Sequence, residues 1–207
     1  YDSQEDVYKA MFEELTAAID VLTRYADNGT TLLLPKADAV YGGDVHKWVV
    51  YANSLMLRLA MRVYYADQDL SKKYAMQAIN HPYGVMRAKA DEAKMDRGAG
   101  LVFQNNLDVL INQYNECRMG SSMLAYLGGY QDPRLEKYFT TSTLPQAVSV
   151  DAMGNYLAVP TGHDVSSNNT FKGASRPAIT TATPTYWMRA SEVYFLLAEA
   201  ALHGFPV

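Results

Sequence analysis

The chain of 207 residues holds a single cysteine, Cys117. One thiol cannot build a disulfide framework or a multi-cysteine zinc site. Excess positive charge is also missing: 18 Lys and Arg stand against 22 Asp and Glu, a net charge of -4. A nucleic-acid binder needs concentrated cations to displace counterions, so that class is excluded. The longest apolar runs are broken by Arg, Asn or Glu, and none is long enough to span a bilayer as a helix. Tyr1-Asp2-Ser3-Gln4 shows no basic start followed by an apolar stretch, so no signal peptide is read there. The four histidines, His46, His81, His163 and His203, lie far apart, and no pair has the spacing of a helical zinc site. Gly42-Gly43 and Gly128-Gly129 lack the pattern of a phosphate-cradling loop. No cofactor and no metal is therefore expected.

Enzyme signatures are equally scarce. Ser121-Ser122 lies outside the strand-turn-helix setting of a nucleophile elbow. The acid pairs Glu13/Glu14 and Asp91/Glu92 read as solvated charges, because neither sits beside aromatic platforms of the kind that flank a glycosidic bond. Arg118 next to Cys117 could lower the thiol's pKa, but the residue types around Cys117 favour a structural role. No catalytic residue is assigned.

What is present is a globular composition, 49% hydrophobic and 19% charged. Val7, Met11, Phe12, Leu15, Ile19 and Leu22 recur at helical spacing after a Ser3 cap with Asp6 three residues on. That predicts a helix over residues 4–27, stopped by Asn28-Gly29. A second helix is predicted over 45–66, capped by Asp44, with Trp48, Tyr51, Ala52, Leu55, Leu59 and Val63 as its buried stripe. Others are expected over 70–80, ending before His81-Pro82, over 115–127, and over 186–203. Asp132-Pro133 opens a further short one. Residues 87–100 read as a polar loop. Residues 142–185, rich in Ser, Thr, Asn, Gly and Pro, read as a long loop region with a hairpin at 155–160. Sheet is expected only within 140–180. The helix over 193–202 is apolar nearly all round and must be buried, so the expectation is a fragment of a longer protein, with the elements that bury this helix beyond residue 207.

Tyrosine is the conspicuous residue: 16 Tyr against six Phe and two Trp. Its apolar face and polar tip suit half-buried binding surfaces. The run Asn112-Gln113-Tyr114-Asn115-Glu116-Cys117-Arg118 mixes rings with hydrogen-bonding groups, and the long polar loop carries Tyr156 and His163 and leads into Trp187.

Three strings then occur in a familiar order. They are Tyr41-Gly42-Gly43-Asp44-Val45-His46-Lys47-Trp48 with Ala52-Asn53-Ser54-Leu55 and Leu57-Arg58-Leu59-Ala60-Met61-Arg62; Tyr130-Gln131-Asp132-Pro133-Arg134-Leu135; and Ala190-Ser191-Glu192-Val193-Tyr194-Phe195-Leu196-Leu197-Ala198-Glu199-Ala200-Ala201. Together they resemble the SusD/RagB family. The resemblance implies a mainly α fold of tetratricopeptide-like helical hairpins with long irregular loops and little sheet. The implied layout is a helical scaffold over 1–139, a loop region over 140–185 and a helix over 186–203. It further implies a surface-exposed, lipid-anchored outer-membrane protein that is not an enzyme. Such a protein captures oligosaccharide, or in some members peptide, for a SusC-like TonB-dependent transporter. A glycoside hydrolase is the alternative of another class, and a helical-repeat adaptor a third.

The motifs themselves read as scaffold. Asn53, a poor helix former in mid-helix, is expected to make a buried hydrogen bond. Arg58 and Arg62 share one helix face, Glu192 and Glu199 another, and Arg–Glu pairs between the helices would fix their packing. Ligand contacts are expected from loops on this scaffold. The candidates are Tyr114, Asn115, Arg118, Tyr156, His163 and Trp187, with rings stacking on pyranose faces and Asn115 and Arg118 bonding hydroxyls.

Overall fold

A computed structural model describes residues 1–96, 103–144, 152–162 and 170–207. The chain divides into two compact units, Tyr1–Phe103 with Pro184–Val207, and Gln104–Thr183.

The first unit is helical and forms around one element. Helix α1 is Gln4–Asp27, α2 is Val45–Val63, α3 is Gln68–Ile79 and α6 is Ala190–Leu202. Helix α2 packs on the other three. That explains why it is buried on most of its circumference while α1 buries only Phe12 and Ile19 fully. Caps start the helices where the sequence places them. Ser3 Oγ accepts from Asp6 N at 3.1 Å, and Asp44 Oδ1 accepts from Lys47 N at 3.1 Å. Helix α3 starts a little before the expected residue 70, because Asp67 Oδ1 caps Leu70 N at 2.9 Å. Each such cap supplies about 1 kcal/mol. Between α1 and α3 the Phe12 and Tyr74 rings stack at 4.1 Å. Ala75 and Ala78 of α3 are fully buried, and small side chains there allow a close approach to α2.

The polar residues inside α2 are paired. Asn53 is 1% exposed, and its Nδ2 donates to Gly84 O at 2.9 Å. Ser54 Oγ donates to Val50 O and accepts from Met86 N. These bonds tie the segment after α3 to the middle of α2, and an orphaned group there would cost about 1–3 kcal/mol.

Two expectations about the first unit are corrected. Residues 186–203 are not helical throughout: Thr185–Met188 is strand β4, and the helix begins at Ala190. Strand β4 pairs antiparallel with β1, Ala93–Met95, inside the expected polar loop. Sheet therefore also lies outside 140–180. Cross-strand pairing and the β preference of Thr, Tyr and Trp outweigh the helical periodicity that continues from 190 onward.

The second unit contains one turn of π-helix, Val109–Gln113, then α4, Ser121–Gly129, and α5, Leu135–Tyr138. A hairpin of β2, Ala152–Met153, and β3, Tyr156–Leu157, completes it. The hairpin lies close to where it was expected. The helix expected over 115–127 starts only at Ser121, because Asn115 holds φ at 59°, outside the helical region. Helix α5 also begins beyond Asp132-Pro133, whose Asp Oδ1 accepts from Arg134 N. Residues 104–139, expected to continue the scaffold, group with the loop region. The core is small: Met119, Leu124 and Ala158, with Leu135, Phe139 and Tyr156 against them. Main-chain bonds carry much of the rest. Thr140 N donates to Arg176 O, Thr143 N to Gly173 O, Ala178 N to Tyr138 O and Met119 N to Ser175 O, all at 2.8–2.9 Å.

Candidate functional site

The π-helical turn closes with Tyr114 N donating to Val109 O at 2.9 Å, and Asn115 then turns the chain in the left-handed region. Asn tolerates that conformation better than other non-glycine residues, and such outliers gather at binding sites. Asn112 Nδ2 donates to Asp108 Oδ1 and to Ile179 O, fixing the turn to the 179 segment. The turn faces the paired segments 141–144 and 172–176. Between them lies an open cleft of about 800 Å³, lined by Asn112, Gln113, Tyr114, Asn115, Thr141, Thr143, Lys172 and Arg176, among others. Tyr114 is 62% exposed. The wall depends on Gly173: a Cβ there would lie 2.5 Å from Thr143 Oγ1 and 2.8 Å from Leu144 Cγ.

A smaller hollow of about 290 Å³ adjoins it and shares Asn115. Arg118 lines this hollow, yet its guanidinium is heavily engaged. Nε donates to Phe171 O at 2.8 Å, Nη1 to Cys117 O at 2.7 Å and Nη2 to Lys172 O at 3.0 Å. Arg118 thus staples the 171–172 segment. Burial, and after it the nearby charge of Arg176, lowers its pKa.

The structure brings Tyr114 and Asn115 together on the main cleft, with Arg118 on its neighbour. Tyr156 is half-buried and packs on the small core instead. His163 lies outside the described residues. Trp187 belongs to the first unit. It is 41% exposed, and its ring centroid lies 6.4 Å from that of Trp48 and 6.3 Å from that of Tyr51. Trp48, expected in the core, is half-buried. Its Nε1 donates to Asp38 Oδ2 at 2.7 Å. Asp38 also accepts from the backbone N–H groups of Val40, Tyr41 and Gly43. Burial alone would raise the Asp38 pKa; these four hydrogen bonds outweigh it and hold the carboxyl below the usual range. Trp48 and Trp187 flank an apolar groove of about 460 Å³ that also includes Leu33, Leu34, Ala37 and Met95.

Thr141, Thr143, Lys172 and Arg176 were not singled out by sequence. Their only signal was membership of a long polar stretch. Cys117 is half-buried with a free thiol. Among the described residues no group of His, Cys, Asp and Glu could hold a metal ion, and no helix is long and apolar enough to cross a membrane.

A family model described as SusD and RagB outer membrane lipoprotein matches residues 1–207. No curated protein matches the chain. Solved structures do. A chitin-binding SusD homolog from Flavobacterium johnsoniae is 35% identical over all of this chain, with a TM-score of 0.88. SusD homologs from Bacteroides uniformis and Bacteroides vulgatus are 36% and 32% identical over 99% of it, with TM-scores of 0.82 and 0.84. The chain spans 41%, 41% and 40% of those three structures respectively. The motifs, the α2-centred helical hairpins and these matches converge: this chain belongs to the SusD-like family of SusD and RagB outer-membrane lipoproteins.

Proposed function

We propose that this chain is part of a lipid-anchored, cell-surface binding protein. It captures oligosaccharide for a SusC-like TonB-dependent transporter of the outer membrane, and it is not an enzyme. The observation that carries the reading is the cleft of the second unit. An exposed tyrosine stands there among side-chain amides and hydroxyls. A sugar ring has an apolar CH face for the ring and hydroxyls for the amides. Glycoside hydrolysis needs two carboxylates flanking the bond, whereas the described residues lining this cleft offer amides, hydroxyls and cations. The chitin-binding relative supports the same class of ligand. A peptide ligand is the second reading, since the same amides could pair with a peptide backbone.

Calorimetric titration of an oligosaccharide panel tests the proposal. Tyr114→Ala is expected to weaken binding at least tenfold, with unchanged circular dichroism, because the ring is exposed and its removal leaves no cavity. Trp187→Ala tests separately whether the groove of the first unit, where Trp187 stands beside Trp48, takes part in binding. Unchanged affinity in a folded Tyr114→Ala variant removes the cleft from the site. Binding of peptides but no glycan transfers the proposal to the second reading.

A further inference from the structure

The second unit distributes its charges unevenly. Arg134 is paired with Asp132, and Lys137 with Glu136. Arg118, Lys172 and Arg176 make no ion pair with any described carboxylate. These three gather at one place. Lys172 and Arg176 line the main cleft. Arg118 is bonded to the carbonyls of Phe171 and Lys172, and so sits under the segment that carries both of them. Of the acids nearby, Asp108 accepts a hydrogen bond from Asn112 Nδ2, and Glu116 lies on the adjoining hollow with Arg118. No described carboxylate lines the main cleft itself.

Burial and, after it, the nearby charge of Arg176 disfavour the charged form of Arg118. Among the described residues no carboxylate stands between these like charges, which disfavour one another. They raise the local potential toward anions, and a guanidinium presents a fork that fits a carboxylate or sulfate. Neither side chain is needed for the wall. Arg176 holds the 140 segment through its backbone N and O, and Lys172 contributes its carbonyl to Arg118.

On the reading that the cleft takes oligosaccharide, we infer that its sugar is anionic, with a carboxylate or sulfate seated between Lys172 and Arg176 while Tyr114 and the amides hold the neutral part. This goes beyond the chitin-binding relative, whose ligand is neutral.

The test uses pairs of oligosaccharides that differ only in charge. They are tetragalacturonate and its methyl ester, sialyllactose and lactose, and carrageenan oligosaccharides before and after desulfation. The expected result is at least one pair whose charged member binds tenfold or more tightly at low salt. That preference should shrink at 1 M salt and disappear in Arg176→Gln with Lys172→Gln, a variant expected to keep the wild-type circular dichroism. Neutral members binding as well as charged ones would overturn the inference and leave the oligosaccharide reading standing. So would a preference that survives the double variant. Binding of no sugar, charged or neutral, would overturn the oligosaccharide reading itself, and the inference with it.

Discussion

The Arg58–Glu192 pair joins α2 to the start of α6, and its removal has a calculable effect. Arg58 Nε lies 2.6 Å from Glu192 Oε1, and Nη2 lies 2.7 Å from Oε2. Nη2 also donates to Trp187 O at 3.1 Å, so one guanidinium holds the helix and the strand before it. Hydrogen bonds to charged groups are worth about 1.5–3 kcal/mol each when buried. Here the side chains are 25% and 41% exposed, so solvent screening reduces that sum considerably. Arg58→Ala also loses the packing of its stem. The expected cost is about 2 kcal/mol for Arg58→Ala, and about 1 kcal/mol for Glu192→Ala, which leaves the bond to Trp187 O in place. The double mutant should show a coupling of about 1 kcal/mol. Arg58→Lys should recover little, since an ammonium cannot present the two-pronged fork. Urea denaturation followed by tryptophan fluorescence is the right assay. Both tryptophans, Trp48 and Trp187, lie in the first unit, so the signal reports that unit alone. A coupling within error of zero would show that the pair is geometric coincidence and that apolar burial alone sets the α2–α6 packing.

Asp38→Asn should destabilise the first unit by about 2 kcal/mol at neutral pH. Each carboxylate oxygen accepts two N–H groups, and an amide can turn its oxygen to only one pair. Because the folded pKa of Asp38 lies below its ordinary value of 3.8, its contribution is present above that value and lost as pH falls through the folded one. The gap between wild type and variant should therefore close in acid melts; a gap independent of pH would refute the assignment. Gly173→Ala should push residues 141–144 outward, weakening ligand binding about tenfold at a stability cost of about 1 kcal/mol. Wild-type binding together with wild-type hydrogen exchange at Thr143 would show that the wall yields without consequence.

The helices of the first unit were legible because their signals are local. Ser3 and Asp44 cap, apolar residues recur at 3.6, and Asn53 in mid-helix implies a buried partner. Arg–Glu pairing between the helices was legible from spacing and motif, but which Arg meets which Glu was not: the structure pairs Arg58 with Glu192. Strand β4 was not legible, since Thr185–Met188 becomes a strand only by meeting Ala93–Met95, far away in sequence. The site divides in the same way. Tyr114 and Asn115 stood out in a run of ring and amide residues. Lys172 and Arg176 acquire meaning only when main-chain bonds bring 172–176 beside 140–144. Arg118 has the right chemistry to bond hydroxyls, but three of its N–H groups are occupied by carbonyls, which residue type cannot reveal.

The walls of the cleft are joined backbone to backbone: Thr140 N to Arg176 O, Thr143 N to Gly173 O and Ala178 N to Tyr138 O. Bonds of this kind are indifferent to which side chain each residue carries. The side chains that do hold the mould are few: Asn112 fixes the turn to Ile179 O, Arg118 bonds the carbonyls of Phe171 and Lys172, and a Cβ at Gly173 would crowd Thr143 and Leu144. Cleft-lining positions such as Tyr114, Thr141, Lys172 and Arg176 can therefore change while the mould that presents them persists. Folding and surface chemistry are thus set by different groups here, so a lineage can exchange a few exposed side chains without rebuilding the fold that carries them.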